Sequence, residues 1–354
     1  MIRILIAEDS PVVQRTLVTL LRAEDGIEVV GVAENGVQAV ELCCALRPDL
    51  VTMDVFMPVV DGLEATRAIM ECCPTRIVII SSLVNDADLN TSFEAMRAGA
   101  VEIIEKPRGL SGRSYSDVQR KLGGILRNMV SARPERTQMN VAAPTPSRTS
   151  TERPEPSVRS SVALLTSRRR PQVVCLGGSS GAPAVLVSVL GGLAADYPIP
   201  IVLAQHIARG FGRGLVSWLD QSIALRVQRA ADGAVLEAGT VTVAPDDQHL
   251  EIRPGGQVNL APSDSTSPYT PSIDRFFSSA AHAFGSGALA VLLSGMGRDG
   301  AEGLLALRQA GALTLAQDEE TSVVYGMPRE ALECGAAERA ISPAALLALL
   351  RSLC

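Results

Sequence analysis

The chain of 354 residues is long enough for two domains, and 47% of its residues are hydrophobic, enough to build a core in each. A net charge of −6 and a pI of about 5.3 argue against whole-protein attraction to nucleic acid or an anionic membrane, and one Trp with four Tyr offers little for stacking on single strands. Ile4-Leu5-Ile6 runs straight into Glu8-Asp9, unlike a secretory signal, and no apolar run reaches the ~18 residues of a membrane span, so a cytoplasmic protein without membrane insertion is expected.

Residues 1–130 alternate between apolar runs of strand length and helical periodicity. Strands are expected at Ile2–Ala7, Ile27–Val32, Leu50–Met53, Ile77–Ile80 and Val101–Ile104. Helices are expected at Pro11–Arg22, Gly36–Leu46, about Gly62–Met70, about Asp88–Ala98 and Ser116–Met129. Such βα units predict an open parallel sheet that binds ligands outside the carboxyl ends of its strands. The charges stand at those ends: Glu8 and Asp9 after the first strand, Asp54 after the third, Ser81 after the fourth and Lys106 after the fifth. Three converging carboxylates repel unless a hard cation such as Mg²⁺ joins them. Asp54 is then placed to attack a phosphoryl group and become an aspartyl-phosphate, with Lys106 neutralising the phosphate and Ser81 hydrogen-bonding it.

With Glu8-Asp9, Asp54-x-x-Met57-Pro58-x-x-Asp61-Gly62, Ser81 and Lys106-Pro107 in place, this half resembles the response-regulator receiver domains, a flavodoxin-like (βα)5 fold. Two residues depart from the common receiver pattern. Glu8 replaces the more usual Asp, and Ile103 stands where many receivers carry an aromatic switch residue.

Residues 131–170 shift abruptly to Pro, Ser, Thr and Arg and end in Arg168-Arg169-Arg170, which reads as a flexible linker. The seven cysteines include the adjacent pairs Cys43-Cys44 and Cys72-Cys73 but no Cys-x-x-Cys. Zinc and thioredoxin-type chemistry therefore lack sequence support, and the cysteines are expected to be reduced, small apolar residues.

Residues 171–354 read as a second, doubly wound α/β domain with a mainly parallel sheet. A middle piece of short strands near Val227, Val241–Val243, His249–Ile252 and Val258–Leu260 is expected to be an antiparallel insertion. The region opens with Val173–Gly181, a buried strand and glycine turn that presents Ser179 before a helix at Ala182-Pro183. By itself this stretch fits a nucleophile turn or a phosphate cradle. A nucleophile needs a base and a carboxylate. Of three histidines, His282 lies in a small-residue helix, and His249 starts a short strand with nothing local to poise it as a base. His206 directly follows an apolar parallel-type strand, as Ser179 does, and Asp299 follows another strand through a glycine turn. These positions suggest Ser179 as nucleophile, His206 as general base and acid, and Asp299 as its orienting carboxylate, with the Met296 backbone N–H as an oxyanion donor. Asp299 also has the position of a helix N-cap before Ala301-Glu302. The chain order Ser…His…Asp differs from that of ordinary α/β-hydrolases.

Gly177-Gly178-Ser179-Ser180-Gly181, Gln205-His206, Ala244-Pro245-x-x-x-His249-Leu250, Pro271-Ser272-Ile273-Asp274, Leu293–Ala301 and Ala316–Pro328 together resemble the chemotaxis protein-glutamate methylesterases, the CheB family. The resemblance implies hydrolysis of glutamate γ-methyl esters, and deamidation of glutamines, on the cytoplasmic helices of chemoreceptors. It also implies a histidine kinase as phosphodonor to Asp54, Mg²⁺ at the phosphorylation site and no cofactor for the esterase. Gly178, Ser180, Ala182 and Ile207-Ala208 depart from common family residues. Two other readings stay compatible with the residues: a receiver-controlled hydrolase of another ester or amide, and a non-catalytic phospho-dependent binding module.

Overall fold

The computed structural model describes residues 1–82, 86–107, 119, 122–127, 129, 170–264 and 267–354. Six residues of the expected helix at Ser116–Met129 and all but Arg170 of the expected linker lie outside these residues; residues 119, 122–127 and 129 are helical. Inter-residue contacts divide the chain into two compact units, each with its own sheet.

The first unit carries β1 (Ile2–Ala7), α1 (Pro11–Arg22), β2 (Ile27–Ala33), α2 (Gly36–Leu46), β3 (Leu50–Met53), α3 (Gly62–Cys72), β4 (Arg76–Ser81), α4 (Asp86–Arg97) and β5 (Glu102–Glu105). The sheet is wholly parallel in the order β2-β1-β3-β4-β5. β3 is buried along its whole length, as expected of a central parallel strand covered on both faces. Helices α2, α3 and α4 pack side by side. That arrangement follows from right-handed crossovers that all step the same way across the sheet.

Residues 173–262 carry β6 (Val173–Gly178), α5 (Ala182–Leu190), β7 (Ile201–Gln205), α6 (Gly212–Ser222), β8 (Arg226–Arg229), β9 (Thr240–Val243), β10 (Gln248–Arg253) and β11 (Gln257–Pro262), all of the second unit except residues 212–218 of α6. The second unit continues with α7 (Ile273–Phe284), β12 (Ala288–Leu292), α8 (Ala301–Gln309), β13 (Leu313–Gln317), α9 (Met327–Glu333), β14 (Arg339–Ile341) and α10 (Pro343–Arg351). Seven strands form a parallel sheet in the order β14-β13-β12-β6-β7-β9-β8. Val173 and Cys175 of β6, Val202 and Ala204 of β7, and Ala288, Ala290 and Leu292 of β12 point to one face, at the period of two that strands impose. They pack there against Phe276 and Phe277 of α7 and Leu304 of α8. Fully burying one such Phe contributes about 1.5–3 kcal/mol. α5 and α10 pack on each other outside this cluster.

The antiparallel insertion is smaller than expected. Among the described strands only β10 and β11 pair antiparallel, whereas β8 and β9 run parallel in the main sheet. Parallel neighbours usually need a helical crossover, and the connection from β8 to β9 contains no helix. Here the connection finds another partner. Gly233 N and Leu236 N donate to Val258 O and Gly256 O, and Val258 N donates to Ala234 O. The crossover is thus held by β11 instead of by its own helical bonds.

Candidate active site and phosphorylation site

The catalytic candidates leave three adjacent strands. β12 and β7 flank β6, with Gly178 in register with Gln205. The ladder continues past the strand ends: His206 N donates to Gly178 O (2.9 Å), and Ser179 N donates to Ser294 O (2.9 Å). Ser179 is therefore clamped between the loops after β7 and β12. Gln205 Nε2 closes the clamp by donating to Ser179 O (2.8 Å) and His206 O (3.0 Å). Gly181 has φ of +80°, a left-handed turn that turns the chain into α5.

His206 Nε2 bonds Asp299 Oδ2 at 2.7 Å. The imidazole lies flat on the Tyr269 ring, with centroids 4.6 Å apart and planes 8° apart. Among the described residues no hydrogen bond joins the Ser179 hydroxyl to His206. Catalytic hydrogen bonds commonly tighten only once substrate is bound.

Asp299 is buried and does not cap the helix that follows it, as its sequence position suggested; Gly300 holds that place before α8. It sits instead at the N-terminus of α7. Ile273 N (2.8 Å), Asp274 N (3.1 Å) and Ser272 Oγ (3.1 Å) all donate to its carboxylate. Burial pushes Asp299 up, but the bonds from His206 and the α7 amides outweigh it and hold the carboxyl below its ordinary range. Neighbouring Asp274 is pushed up to about 6 by burial and by the Asp299 charge, although Gly303 N donates to it.

His249 is fully buried, and its Nδ1 accepts from Ser272 N at 3.1 Å. It supports the α7 cap through that bond. His282 is exposed and bonds Ser278 O along its own helix. Met296 lies in the glycine turn after β12, whose Gly295 backs directly onto Ser179: a Cβ there would stand 2.7 Å from Ser179 Cβ. Gly295 N donates to Val324 O, and Gly326 N and Met327 N donate to Gly295 O. Residues 324–327 thus hold the turn in place.

In the first unit, Lys106 Nζ donates to Asp54 Oδ2 (2.8 Å) and Glu8 Oε1 (3.0 Å). Oxygens of Glu8, Asp9 and Asp54 all lie within 4.8 Å of one another. Burial raises the pKa of both Asp54 and Glu8 despite Lys106. Burial would lower that of Lys106, but its two carboxylate partners raise it. One ammonium facing three carboxylates leaves negative charge uncompensated, and the donors are all hard oxygens. The set fits Mg²⁺. Gly62 sits against the backbone of Asp54, where a Cβ would collide with Asp54 O. Ser81 is buried at the end of β4, and its hydroxyl accepts from Ser92 Oγ of α4 at 3.1 Å.

Residues 174–350 match the family model described as CheB methylesterase, and residues 4–111 match the response regulator receiver domain. A protein-glutamate methylesterase/protein-glutamine glutaminase 4 from Myxococcus xanthus (strain DK1622) is 44% identical over 327 residues, covering 92% of this chain and 90% of that one. The chain belongs to the CheB methylesterase family. A second relative with this activity name, from Hahella chejuensis (strain KCTC 2396), is 38% identical and is covered over 98% of its length by 99% of this chain. The second unit is also similar to the crystal structure of the Thermotoga maritima CheB methylesterase catalytic domain. That match has a TM-score of 0.50 and 34% identity, over 52% of this chain and 99% of that one.

Within this CheB-family chain, several site residues escaped the sequence reading. Ser272 was visible only as part of Pro271-Ser272-Ile273-Asp274, and its service to Asp299 needed the packing of α7. Ser294 accepts from Val324 N and donates to Ser180 O, knitting the serine turn to the glycine turn. Tyr269 and Ser92 carried no signal, because their contacts bridge distant segments.

Proposed function

We propose that this protein is a phosphorylation-activated hydrolase that removes methyl groups from glutamate γ-methyl esters, and amide groups from glutamines, on chemoreceptor cytoplasmic helices. The observation that carries the reading is the His206–Asp299 pair, seated on the α7 amides beside the Ser179 turn. Asp299 takes Nε2 of the imidazole, so Nδ1 is the nitrogen that serves Ser179. Ser179 Oγ attacks the γ-carbonyl carbon while Nδ1 accepts its proton, and the carbonyl oxygen becomes an oxyanion facing the Met296 turn. The C–O bond to methoxide then breaks, and His206 returns the proton so that methanol leaves. Water, deprotonated by the same nitrogen, attacks the acyl-enzyme, releases the glutamate carboxylate and restores Ser179. With glutamine the leaving group is ammonia.

Asp54 accepts a phosphoryl group from a histidine kinase. Glu8, Asp9 and Asp54 would hold Mg²⁺, which supplies charge neutralisation for the phosphoryl oxygens. Lys106 then pairs with the phosphate, and Ser81 exchanges its Ser92 bond for a phosphate oxygen. Phosphorylation shifts the population toward arrangements in which a receptor helix reaches Ser179.

The test is methanol release from a methylated receptor fragment. Ser179→Ala should abolish release while leaving the Tm and Asp54 phosphorylation unchanged. Retained release, or release from other esters in preference to the receptor, would refute the reading.

A further inference from the structure

Three cysteines that are scattered in the sequence meet in space. Cys44 lies in the last turn of α2, Cys72 is the last residue of α3, and Cys73 is the residue where the chain leaves that helix, with φ −149° and ψ 67°. The change of backbone direction at Cys73 lets two consecutive side chains converge, which helical geometry would prevent. The Sγ atoms form a triangle: Cys44–Cys73 is 2.7 Å, Cys44–Cys72 is 3.1 Å and Cys72–Cys73 is 3.4 Å. Cys73 is buried, Cys44 is half-buried and Cys72 is exposed. The triangle therefore has a closed floor and an open mouth. Neighbouring Cys43 is turned away to Thr75 Oγ1 and is not one of the three.

We propose that Cys44, Cys72 and Cys73 form a binding site for one thiophilic d¹⁰ metal ion, Zn²⁺ or Cu⁺, held by three thiolates with the remaining position open to solvent. Thiolates select these ions over the hard cations suited to Glu8, Asp9 and Asp54. With Zn–S near 2.3 Å, tetrahedral geometry needs sulfur separations of about 3.8 Å. The sulfurs must open by less than about 1.2 Å from where they stand; the widest step, between Cys44 and buried Cys73, falls to half-buried Cys44, and exposed Cys72 adjusts its own two distances, each by rotation about χ1. Binding displaces the thiol protons to solvent, so affinity falls as pH falls. The ion would tie the carboxyl-terminal ends of α2 and α3 together within the receiver unit.

The test uses the full-length chain, reduced and kept free of oxygen. Cd²⁺ serves as the spectroscopic stand-in for Zn²⁺, and Cu⁺ is added in a parallel arm against a chromophoric chelator. One ion per chain should bind with a thiolate-to-metal charge-transfer band and raise the Tm; the arm with the tighter competition identifies the ion. Cys44→Ser and Cys72→Ser should each weaken binding at least tenfold, whereas C334S and C354S leave it unchanged. Phosphorylation of Asp54 in the Cys44 and Cys72 variants reports that the receiver unit is still folded. Absence of the band at stoichiometric metal, or a band that survives Cys44→Ser and Cys72→Ser, would overturn the proposal.

Discussion

Asp299 is asked to stay ionised in a buried place, and four donors make that possible. Asp299→Asn should keep the fold but leave the imidazole in the wrong tautomer. A kcat loss on the order of 10⁴ is expected, the scale found for this change in Ser-His-Asp triads. Ser272→Ala is a milder test. It removes one donor to Asp299 and the α7 cap bond to Arg275 N, and should cost about 0.5–2 kcal/mol by thermal unfolding together with a smaller drop in kcat. Asp274 sets the pH dependence in the opposite direction from Asp299. Its folded carboxyl titrates at about 6, above its ordinary 3.8, so the folded state holds the proton more tightly than the unfolded one. Asp274 thus favours folding below pH 3.8, and that contribution declines between pH 3.8 and about 6. Asp274→Asn should flatten this decline in urea titrations across that window. Asp299, with its lowered carboxyl, contributes stability above the ordinary range and loses it as pH falls further.

The elements that matter are the turns after the strands, where backbone approaches backbone. In the first unit α3 is capped by Asp61, whose carboxylate accepts from Glu64 N at 2.8 Å, and begins at Gly62 against Asp54 O. Gly62→Ala forces this turn off the nucleophile. It should cost about 1–3 kcal/mol, the scale of overpacking, and slow phosphorylation by a small-molecule phosphodonor. A Gly62→Ala variant that phosphorylates normally would show that the loop relaxes freely. In the second unit the stacked Tyr269 fixes the ring plane of His206, whose Nε2 bonds Asp299. Tyr269→Phe keeps the stack and should keep kcat, whereas Tyr269→Ala should lower it with little change in Tm.

At the scale of the whole molecule, phosphate chemistry and ester chemistry belong to different units. Asp54→Asn should abolish the rise in methanol release that a phosphodonor produces, while basal release persists. Deleting residues 1–130 should raise basal release; a fall instead would mean that the receiver is needed positively. Much of this division is legible in the residues alone. The apolar runs that end in Glu8-Asp9, Asp54, Ser81 and Lys106 define both a parallel sheet and the edge that carries its chemistry, because side chains just past parallel strands must converge there. The same logic places Ser179 beside His206. The sequence could not decide which helix Asp299 serves, since Gly300-Ala301 follows it in the chain while the amides of Ile273 and Asp274 reach it only through packing. Nor could it decide the direction of β8 and β9, whose crossover borrows its hydrogen bonds from β11. The cysteines are the sharpest case. Cys44 and Cys72-Cys73 lie on different helices with no metal-ligand spacing between them, and only the packing of α2 on α3 brings their sulfurs within reach of one ion. Local pattern determines what a stretch of backbone does with its own neighbours; contacts between distant segments exist only once the fold has set the distances.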